Sequence, residues 1–308
     1  VLTGAMVDQV AQKWYEKSKA LFGDVEFYGG DVFHEGGTVP TGLNLANYAT
    51  QLQAKMLQAS PNATWVLQAW QTNPKQEFIN GLKKDQTLIL DYSNDVYGFW
   101  KSRAGFGGYP WVYGVINNFG GRMGMYARLN KIASDVFAMQ TSPNKGNNVG
   151  IGIAPEAIQY NPVSFDFMWD LAWETSQVNP ATWITKFADR RYGITLDNTQ
   201  KSWAVLNTTV LNPTSSSEGE QESIFNLPPS FSADNPAVSC CSNTNNRYVS
   251  SELVPAWINM MNAIDVLKTK ATFKHDLVDL TRQITSNFAK DVYLKMRTAV
   301  TNTDLVAF

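Results

Sequence analysis

The sequence predicts an α/β protein: a (β/α)8-type barrel, incomplete at its N-terminal side, followed by an all-helical C-terminal domain. Up to about residue 160, short runs rich in β-branched and aromatic residues alternate with helical segments, a pattern typical of βα units and a parallel sheet. Only helical segments are predicted after that point. Because five strands do not close an eight-stranded barrel, we expect about three further βα units before Val1. The predicted domains are residues 1–165 and 166–308.

The elements of the first part are predicted from hydrophobic spacing and turn residues. A helix is expected over Ala5–Phe22, and its apolar face comprises Val7, Val10, Trp14, Leu21 and Phe22. The predicted strands lie within Val25–Gly37, Ala63–Trp70, Thr87–Asp95, Tyr109–Gly121 and Asn148–Ile158. Their apolar runs do not alternate with polar residues, as expected of parallel strands that are buried on both faces. The intervening helices are predicted over Leu45–Ala59, Gln76–Lys84 and Met123–Phe137.

The second part is predicted to be helical, with one long polar interruption. Its helices are expected over Trp169–Ser176, Ala181–Tyr192, Thr199–Leu211, Leu253–Leu267 and Asp276–Thr301. In the last helix, apolar residues recur every three or four positions and predict one buried stripe; they are Leu277, Leu280, Ile284, Phe288, Val292 and Met296. The segment Asn212–Ser239 is rich in Pro and Ser and is predicted to be a surface loop.

Composition excludes several classes of function. The 25 basic and 27 acidic residues give a net charge of −2, and no cluster of Lys or Arg suggests a nucleic-acid partner. No apolar run approaches the ~18–20 residues of a membrane span. Cys240 and Cys241 are adjacent, so a disulfide framework is not expected. Two sequons, at Asn62 and Asn207, are compatible with a secreted or lysosomal glycoprotein.

Cofactor and metal chemistry find little support in the sequence. His34 and His275 are the only histidines, and neither belongs to a metal-binding motif. The glycine-rich stretches lack the GxxxxGK[ST] and GxGxxG patterns that bind phosphates and dinucleotides. A nucleophile elbow of the G-x-S-x-G type is also absent. We therefore expect no cofactor and no metal.

Carboxylates that follow predicted strands are the remaining candidates for catalysis. Glu35 follows the first strand and Glu156 the fifth, 121 residues later. Since a barrel gathers the carboxyl ends of its strands at one face, the two carboxyl groups can flank a glycosidic bond, one as acid and one as nucleophile or base. A strand-end glutamate in an α/β protein is more often a helix N-cap partner or a solvated loop charge than a catalyst. Asp31, Asp91 and Asp95 compete for the same roles.

Several neighbouring residues have two possible roles on sequence grounds. His34 can orient a hydrogen bond or simply lie at the rim, and its side chain points away from Glu35 if the segment is extended. The aromatic rings of Trp70 and Tyr113 can stack on a sugar or pack in the core. The amides of Asn117 and Asn118 can bind sugar hydroxyls or cap the turn that follows them.

Six sequence blocks resemble the α-N-acetylglucosaminidases of glycoside hydrolase family 89. They are YGGDVFHE, WVLQAW, NNFGGRMG, VGIGIAPEAI, WITKFADRRYG and FKHDLVDLTRQ, and they occur in order along the whole chain. The resemblance implies a small N-terminal domain, a (β/α)8-type barrel and an all-helical C-terminal domain. It also implies hydrolysis of terminal α-linked N-acetylglucosamine with retention of configuration, through a glycosyl-enzyme intermediate.

The resemblance assigns roles to individual residues by motif. The glutamate of FHE, Glu35, is implied to be the general acid/base, and the glutamate of APE, Glu156, the nucleophile. Retention implies carboxyl groups ~5 Å apart. The substrate-binding residues are implied to be His34, Trp70, Tyr113, Asn118 and Tyr248.

The chain departs from the family pattern at three positions near this site. Asn117 stands where relatives often have a histidine, and Tyr113 where a tryptophan is common. Arg247 precedes Tyr248 where a pocket tryptophan is common. These departures concern contacts with the substrate and leave both glutamates in place.

Three functions remain open from the sequence. The leading hypothesis is a retaining glycosidase that acts on glycans with terminal α-N-acetylglucosamine, heparan-sulfate-like glycans among them. The alternatives are a non-catalytic glycan-binding homologue and a glycosidase for a different sugar. The presence of both glutamates favours an enzyme.

Overall fold

The structure of the chain is a computed structural model that describes residues 4–156, 161–213, 219, 221–227, 230–239 and 242–308. It divides into two compact units. Unit 1 consists of Val1–Val115 and Met139–Gly152, and unit 2 of Ile116–Ala138 and Ile153–Phe308. The end of the fifth predicted strand and both cysteines lie outside the described residues. No helix in the described ranges combines the length and hydropathy that a membrane span requires.

The order of elements follows the predicted alternation. The helices are α1 (Ala5–Phe22), α2 (Leu45–Ala59), α3 (Gln76–Ile79), α4 (Leu129–Thr141), α5 (Pro162–Leu171), α6 (Pro180–Tyr192), α7 (Asp197–Thr208), α8 (Val254–Leu267) and α9 (Ala271–Thr301). The strands are β1 (Phe27–Gly29), β2 (Thr64–Ala69), β3 (Thr87–Asp91), β4 (Trp111–Asn117), β5 (Asn148–Pro155), β6 (Ala237–Ser239) and β7 (Ser242–Asn243).

The first five strands form one sheet in the order β1-β2-β3-β4-β5. The pairs β1–β2, β2–β3 and β3–β4 are parallel. Leu67, Ile89 and Trp111 are buried in consecutive strands, as the apolar runs predicted. The parallel sheet, followed by helices, agrees with the predicted fold class.

Helix ends follow local capping chemistry. The Asn44 side chain accepts a hydrogen bond of 2.9 Å from the Asn47 amide and begins α2. At α6, the Asn179 side chain accepts from the Ala181 amide, Pro180 occupies the first turn, and Gly193 ends the helix with a φ of 71°. α5 begins at Pro162, seven residues before the predicted start, because apolar spacing alone does not mark a proline-initiated first turn.

The predicted apolar face of α1 is wrong for most of its residues. Val7 is buried, whereas Val10, Trp14, Leu21 and Phe22 are exposed. The helix packs on α2, and between α1, α2 and β1 lies an open groove of about 360 Å³. Trp14 lines this groove instead of entering a closed core, so its helical spacing does not signal burial.

The predicted apolar stripe of α9 is only partly buried: Leu280 is buried, and Leu277, Ile284, Val292 and Met296 are half-buried. The most buried face of the helix is largely polar. Its buried residues recur every three or four positions, and besides Ala299 they are Phe273, Asp276, Leu280, Gln283, Asn287 and Lys290. Phe288, predicted to be buried, is 65% exposed. The polar residues have partners elsewhere in unit 2. Gln283, for example, accepts a hydrogen bond of 2.8 Å from the Met125 amide and donates to the Tyr248 hydroxyl at 3.1 Å.

This arrangement predicts that replacing a polar residue of α9, Gln283, destabilises the protein more than replacing an apolar one, Phe288. Gln283→Leu should lower the free energy of unfolding by about 1–3 kcal/mol, because the buried Met125 amide loses its partner, whereas the Tyr248 hydroxyl keeps its bonds to Gln221 and Asn287. Phe288→Gln should change it by less than about 0.5 kcal/mol. Denaturant unfolding of the two variants measures both effects. A larger loss for Phe288→Gln than for Gln283→Leu would contradict the assigned helix face.

In unit 1, Asp91 ends β3 and fixes the loop that follows. One of its carboxyl oxygens, Oδ2, accepts hydrogen bonds from the amides of Phe99 and Trp100, at 2.9 and 3.0 Å. Burial raises the pKa of the carboxyl to about 6, although these two amides and Arg103 act in the opposite direction. Its partners are backbone amides of the same unit, and these contacts indicate a structural role.

The raised pKa of Asp91 predicts a pH dependence of stability. From pH ~4 to ~6 the folded state keeps a proton that the unfolded chain has lost, so this group lowers stability as pH rises through that window. Asp91→Asn removes the ionisation and retains an oxygen that accepts from both amides. Relative to the wild type, the variant should gain up to about 3 kcal/mol between pH 4 and 7, since one pKa unit corresponds to about 1.4 kcal/mol.

Urea unfolding at pH 4 and pH 7 measures this difference. Asp85→Asn, which removes an exposed charge from the same unit, controls for net charge. Identical pH dependence in Asp91→Asn and wild-type protein would contradict the prediction.

Candidate active site

In unit 1, Glu35 lies in a tight turn after β1. It has a φ of 46°, a left-handed conformation that is unfavourable for a residue with a side chain. The Gly37 amide donates to the His34 carbonyl at 3.0 Å and closes the turn. A Cβ atom on Gly37 would lie 2.7 Å from the Phe33 Cα, so glycine is sterically required there. The turn therefore presents an exposed carboxylate from a constrained backbone.

Asp31 connects the same loop to the sheet. Its Oδ1 accepts a hydrogen bond of 2.9 Å from the Gln68 amide in β2. Burial raises the pKa of the Asp31 carboxyl, while that hydrogen bond and the neighbouring His34 act in the opposite direction. The imidazole Nε2 of His34 is buried. These contacts indicate that Asp31 holds the loop on the sheet. Glu35 is the exposed carboxylate of the same loop.

In unit 2, Glu156 follows β5 and is held by a glycine turn. Its amide donates to the Asn117 carbonyl at 3.1 Å, and its carboxylate Oε2 accepts from the Gly120 amide at 2.6 Å. The turn Phe119–Gly121 is preceded by Asn118, which has a φ of 59°. A backbone amide aimed at the carboxylate fixes one of its oxygens and leaves the other available for chemistry.

The turn that binds Glu156 is supported by a buried ion pair. The Arg122 guanidinium lies 4.9 Å from the centre of the Phe119 ring, and its Nε is 3.9 Å from Glu222 Oε1. Both side chains of the ion pair are buried. A Cβ on Gly219 would lie 2.8 Å from the Phe119 Cβ, so Gly219 itself packs closely on the turn.

These supporting residues were missed by the sequence analysis. Glu222 and Gly219 lie in the segment predicted to be a surface loop, where neither motif nor periodicity distinguishes them. The glycine pair of NNFGG, by contrast, was a visible turn signal at Gly120.

The two predicted aromatic contacts of unit 1 are buried. Trp70 follows β2, and its backbone exchanges hydrogen bonds with Asn73 at 3.2 and 3.0 Å. Tyr113 lies within β4 and is 0% exposed. Burial favours core packing, the alternative that the sequence left open for both residues, and their contact with a substrate stays a prediction.

The predicted polar contacts of unit 2 have partners within the protein. The Asn117 carboxamide oxygen accepts from the Asn161 amide, and the Asn118 carboxamide nitrogen donates to the Arg122 carbonyl. The Tyr248 hydroxyl hydrogen-bonds to a group of amide side chains, and burial raises its pKa. Arg247 donates to the Gly219 carbonyl. Asn117 and Asn118 are thus close to Glu156, and Tyr248 is tied to α9.

Within each unit, the structure brings some of the predicted residues together. Asp31, His34 and Glu35 share one loop of unit 1, and Asn117, Asn118 and Glu156 converge in unit 2. The distance between the Glu35 and Glu156 carboxyl groups stays a prediction. Within the described ranges, no three His, Cys, Asp or Glu side chains are placed to hold a metal ion.

The two sequons differ in accessibility. Asn62 is exposed between α2 and β2. Asn207 is buried in α7, where its side-chain oxygen accepts a hydrogen bond from Asn212. In this fold, only the first of the two asparagines presents its amide to a modifying enzyme.

Comparison with known proteins identifies the family. The profile of the alpha-N-acetylglucosaminidase (NAGLU) TIM-barrel domain matches residues 3–175, and that of the C-terminal domain of the same family matches residues 183–308. Human alpha-N-acetylglucosaminidase is 28% identical over 300 residues, which cover 93% of this chain and 39% of the relative.

Solved structures agree with this match. A family 89 glycoside hydrolase from Clostridium perfringens, in complex with PUGNAc, is 33% identical, with a TM-score of 0.87 over 98% of this chain and 34% of its own. A variant with two Glu→Gln substitutions, from the same organism and in complex with its substrate GlcNAc-alpha-1,4-galactose, is 32% identical, with a TM-score of 0.88 over 99% of this chain and 34% of its own.

The chain thus spans a little over a third of the length of these relatives. The matches confirm the predicted fold class, a partial α/β barrel followed by a helical C-terminal domain. The boundary predicted at residue 165 stays a prediction. On these matches, the chain belongs to the α-N-acetylglucosaminidase family, glycoside hydrolase family 89.

Proposed function

We propose that the protein is a retaining glycoside hydrolase that removes terminal α-linked N-acetylglucosamine from glycans. The observation that carries the proposal is the fixed position of Glu156, whose carboxylate accepts the Gly120 amide at the end of β5. Family membership supports it. In the relative bound to GlcNAc-alpha-1,4-galactose, the two substituted glutamates are separated by nearly the same number of residues as Glu35 and Glu156 here.

In the first step, Glu156 attacks the anomeric carbon while Glu35 donates its proton to the glycosidic oxygen. The bond between that carbon and the leaving oxygen breaks, and a covalent ester forms between the sugar and Glu156. Because Gly120 binds one carboxylate oxygen, the other is the nucleophile in this proposal.

In the second step, the ionised Glu35 removes a proton from water, and the water oxygen attacks the anomeric carbon. The ester bond to Glu156 breaks, Glu35 is protonated again, and the sugar leaves with its original configuration. The exposed, conformationally constrained turn of Glu35 suits a group that must reach both a leaving oxygen and a water molecule.

The proposal also names the substrate, the cofactor requirement and the location of the protein. The substrate is a glycan with a terminal α-N-acetylglucosamine, and the mechanism needs no cofactor because both steps use only carboxyl groups and water. A secreted or lysosomal location is proposed, and a glycan at the exposed Asn62 is compatible with it.

Substitution of the two glutamates tests the assignment. In the full protein, Glu156→Gln should lower kcat on an aryl α-N-acetylglucosaminide by about 10³-fold or more, because the nucleophile is lost. Glu35→Gln should lower it by about 10²–10⁴-fold for poor leaving groups and much less for activated ones, which need no proton. Steady-state kinetics with leaving groups of different pKa measure both effects.

Two further measurements complete this test. NMR of the first product should show the α anomer, and Glu174→Gln, which alters an exposed carboxylate of unit 2, should retain wild-type rates. Wild-type rates in both Glu35→Gln and Glu156→Gln would overturn the residue assignment. A β anomer as first product would overturn retention, and sugar binding without turnover in the wild type would indicate a glycan-binding homologue.

A further inference from the structure

Unit 2 contains a wide groove between one stripe of α5 and one stripe of α9. The α5–α9 groove has a volume of about 1190 Å³ and is lined on one side by Phe165, Asp166 and Trp169 and on the other by Lys274, His275 and Val278. In each set the last residue follows the other two by four and three positions, a spacing that brings side chains to one side of a helix. The groove is therefore a feature of two helices.

One end of the groove is lined by residues next to the candidate nucleophile and next to the turn that binds it. Pro155 and Asn118 line it; Pro155 directly precedes Glu156, and Asn118 directly precedes the turn whose Gly120 amide binds the Glu156 carboxylate. A glycan whose terminal sugar reacts at Glu156 can therefore continue into this groove with its remaining sugars.

The α5 wall offers an aromatic surface. Trp169 is 49% exposed and lines the groove together with Phe165, one helical turn earlier. An indole face of this kind can cover the apolar face of a sugar ring, and it remains rigid while doing so. Trp173 is more exposed, at 87%, but lies outside the groove lining, so exposure alone does not define this surface.

The charges of the groove are mixed and largely neutralised. Arg191 is paired with Asp276 through two hydrogen bonds, and Arg282 is paired with Asp279. Sugar hydroxyl groups both donate and accept hydrogen bonds, so a wall with acids and bases suits them. A polyanion would instead require a run of unneutralised cations.

We propose that the α5–α9 groove binds neutral sugar units on the leaving-group side of the cleaved bond. The proposal rests on the proposed function of Glu156 and adds a substrate class to it. A single drug-sized ligand occupies a pocket of about 300–1,000 Å³, so the groove has room for more than one sugar. Trp169 provides the stacking surface in this subsite.

The test compares Trp169→Ala with Trp173→Ala in the full protein. Two substrates are used: an aryl α-N-acetylglucosaminide, and a neutral oligosaccharide that has GlcNAc-α-1,4-galactose at its non-reducing end. For Trp169→Ala, the ratio of kcat/KM on the oligosaccharide to kcat/KM on the aryl substrate should fall by about tenfold, mainly through KM. For Trp173→Ala the ratio should stay at the wild-type value.

Binding provides a second readout that does not depend on turnover. Calorimetry with the oligosaccharide should show about tenfold weaker binding when Trp169→Ala is added to Glu156→Gln. An unchanged kinetic ratio together with unchanged binding would overturn the subsite. A sulfated oligosaccharide that is preferred over the neutral one, with a preference that decreases as salt increases, would overturn its neutral character.

Failure of the proposed function gives a different result. In that case the wild-type protein would hydrolyse neither substrate, whereas the effect of Trp169→Ala on oligosaccharide binding would still decide whether the groove is a glycan subsite.

Discussion

The buried polar face of α9 is the interaction on which unit 2 depends. Asp276 binds Arg191 and the Tyr192 hydroxyl in α6, and Gln283 binds the Met125 amide. Further along, Asn287 binds Tyr248, and Lys290 binds Thr244 and the Asp234 carbonyl. Each buried group is satisfied only while its partner segment stays in place, and an unpaired buried polar group costs about 1–3 kcal/mol. One helix thereby fixes segments that have little regular structure of their own.

The same helix determines where the candidate nucleophile is held. Arg282 donates to the Met123 carbonyl and Gln283 accepts from the Met125 amide, so the chain just after the Phe119–Gly121 turn is tied to α9. That turn donates the Gly120 amide to Glu156. The ion pair of Arg122 with Glu222 is a second support of the turn. Glu222 follows Gln221, whose side chain donates a hydrogen bond to Asn287 of α9. Small displacements of α9 would therefore reach the candidate nucleophile through the Phe119–Gly121 turn.

Local signals explain which features were predictable. The β-rich runs, the glycine turn at Gly120 and the strand-end position of Glu156 all depend on residues close in sequence. The buried face of α9 does not, because its polar residues become favourable only through partners such as Asp234, 56 residues from Lys290. For the same reason Glu222 could not be distinguished from other acids of a polar loop. The prediction for the apolar face of α1 was wrong for a different reason: its residues have helical spacing, but the face lies along an open groove.

A left-handed residue lies at each of the two turns that present the candidate carboxylates. Glu35 has a φ of 46°, and Asn118, beside the turn that binds Glu156, has a φ of 59°. Such conformations persist only when neighbouring contacts impose them. In unit 1 these contacts include the steric requirement at Gly37 and the hydrogen bond from Gln68 to Asp31. In unit 2 the Asn118 side chain donates to the Arg122 carbonyl. Left-handed backbone also occurs at Gln71, Ala104, Phe106 and Thr303. At Glu35 and Asn118, however, the neighbouring contacts fix the two turns that carry or bind the candidate carboxylates.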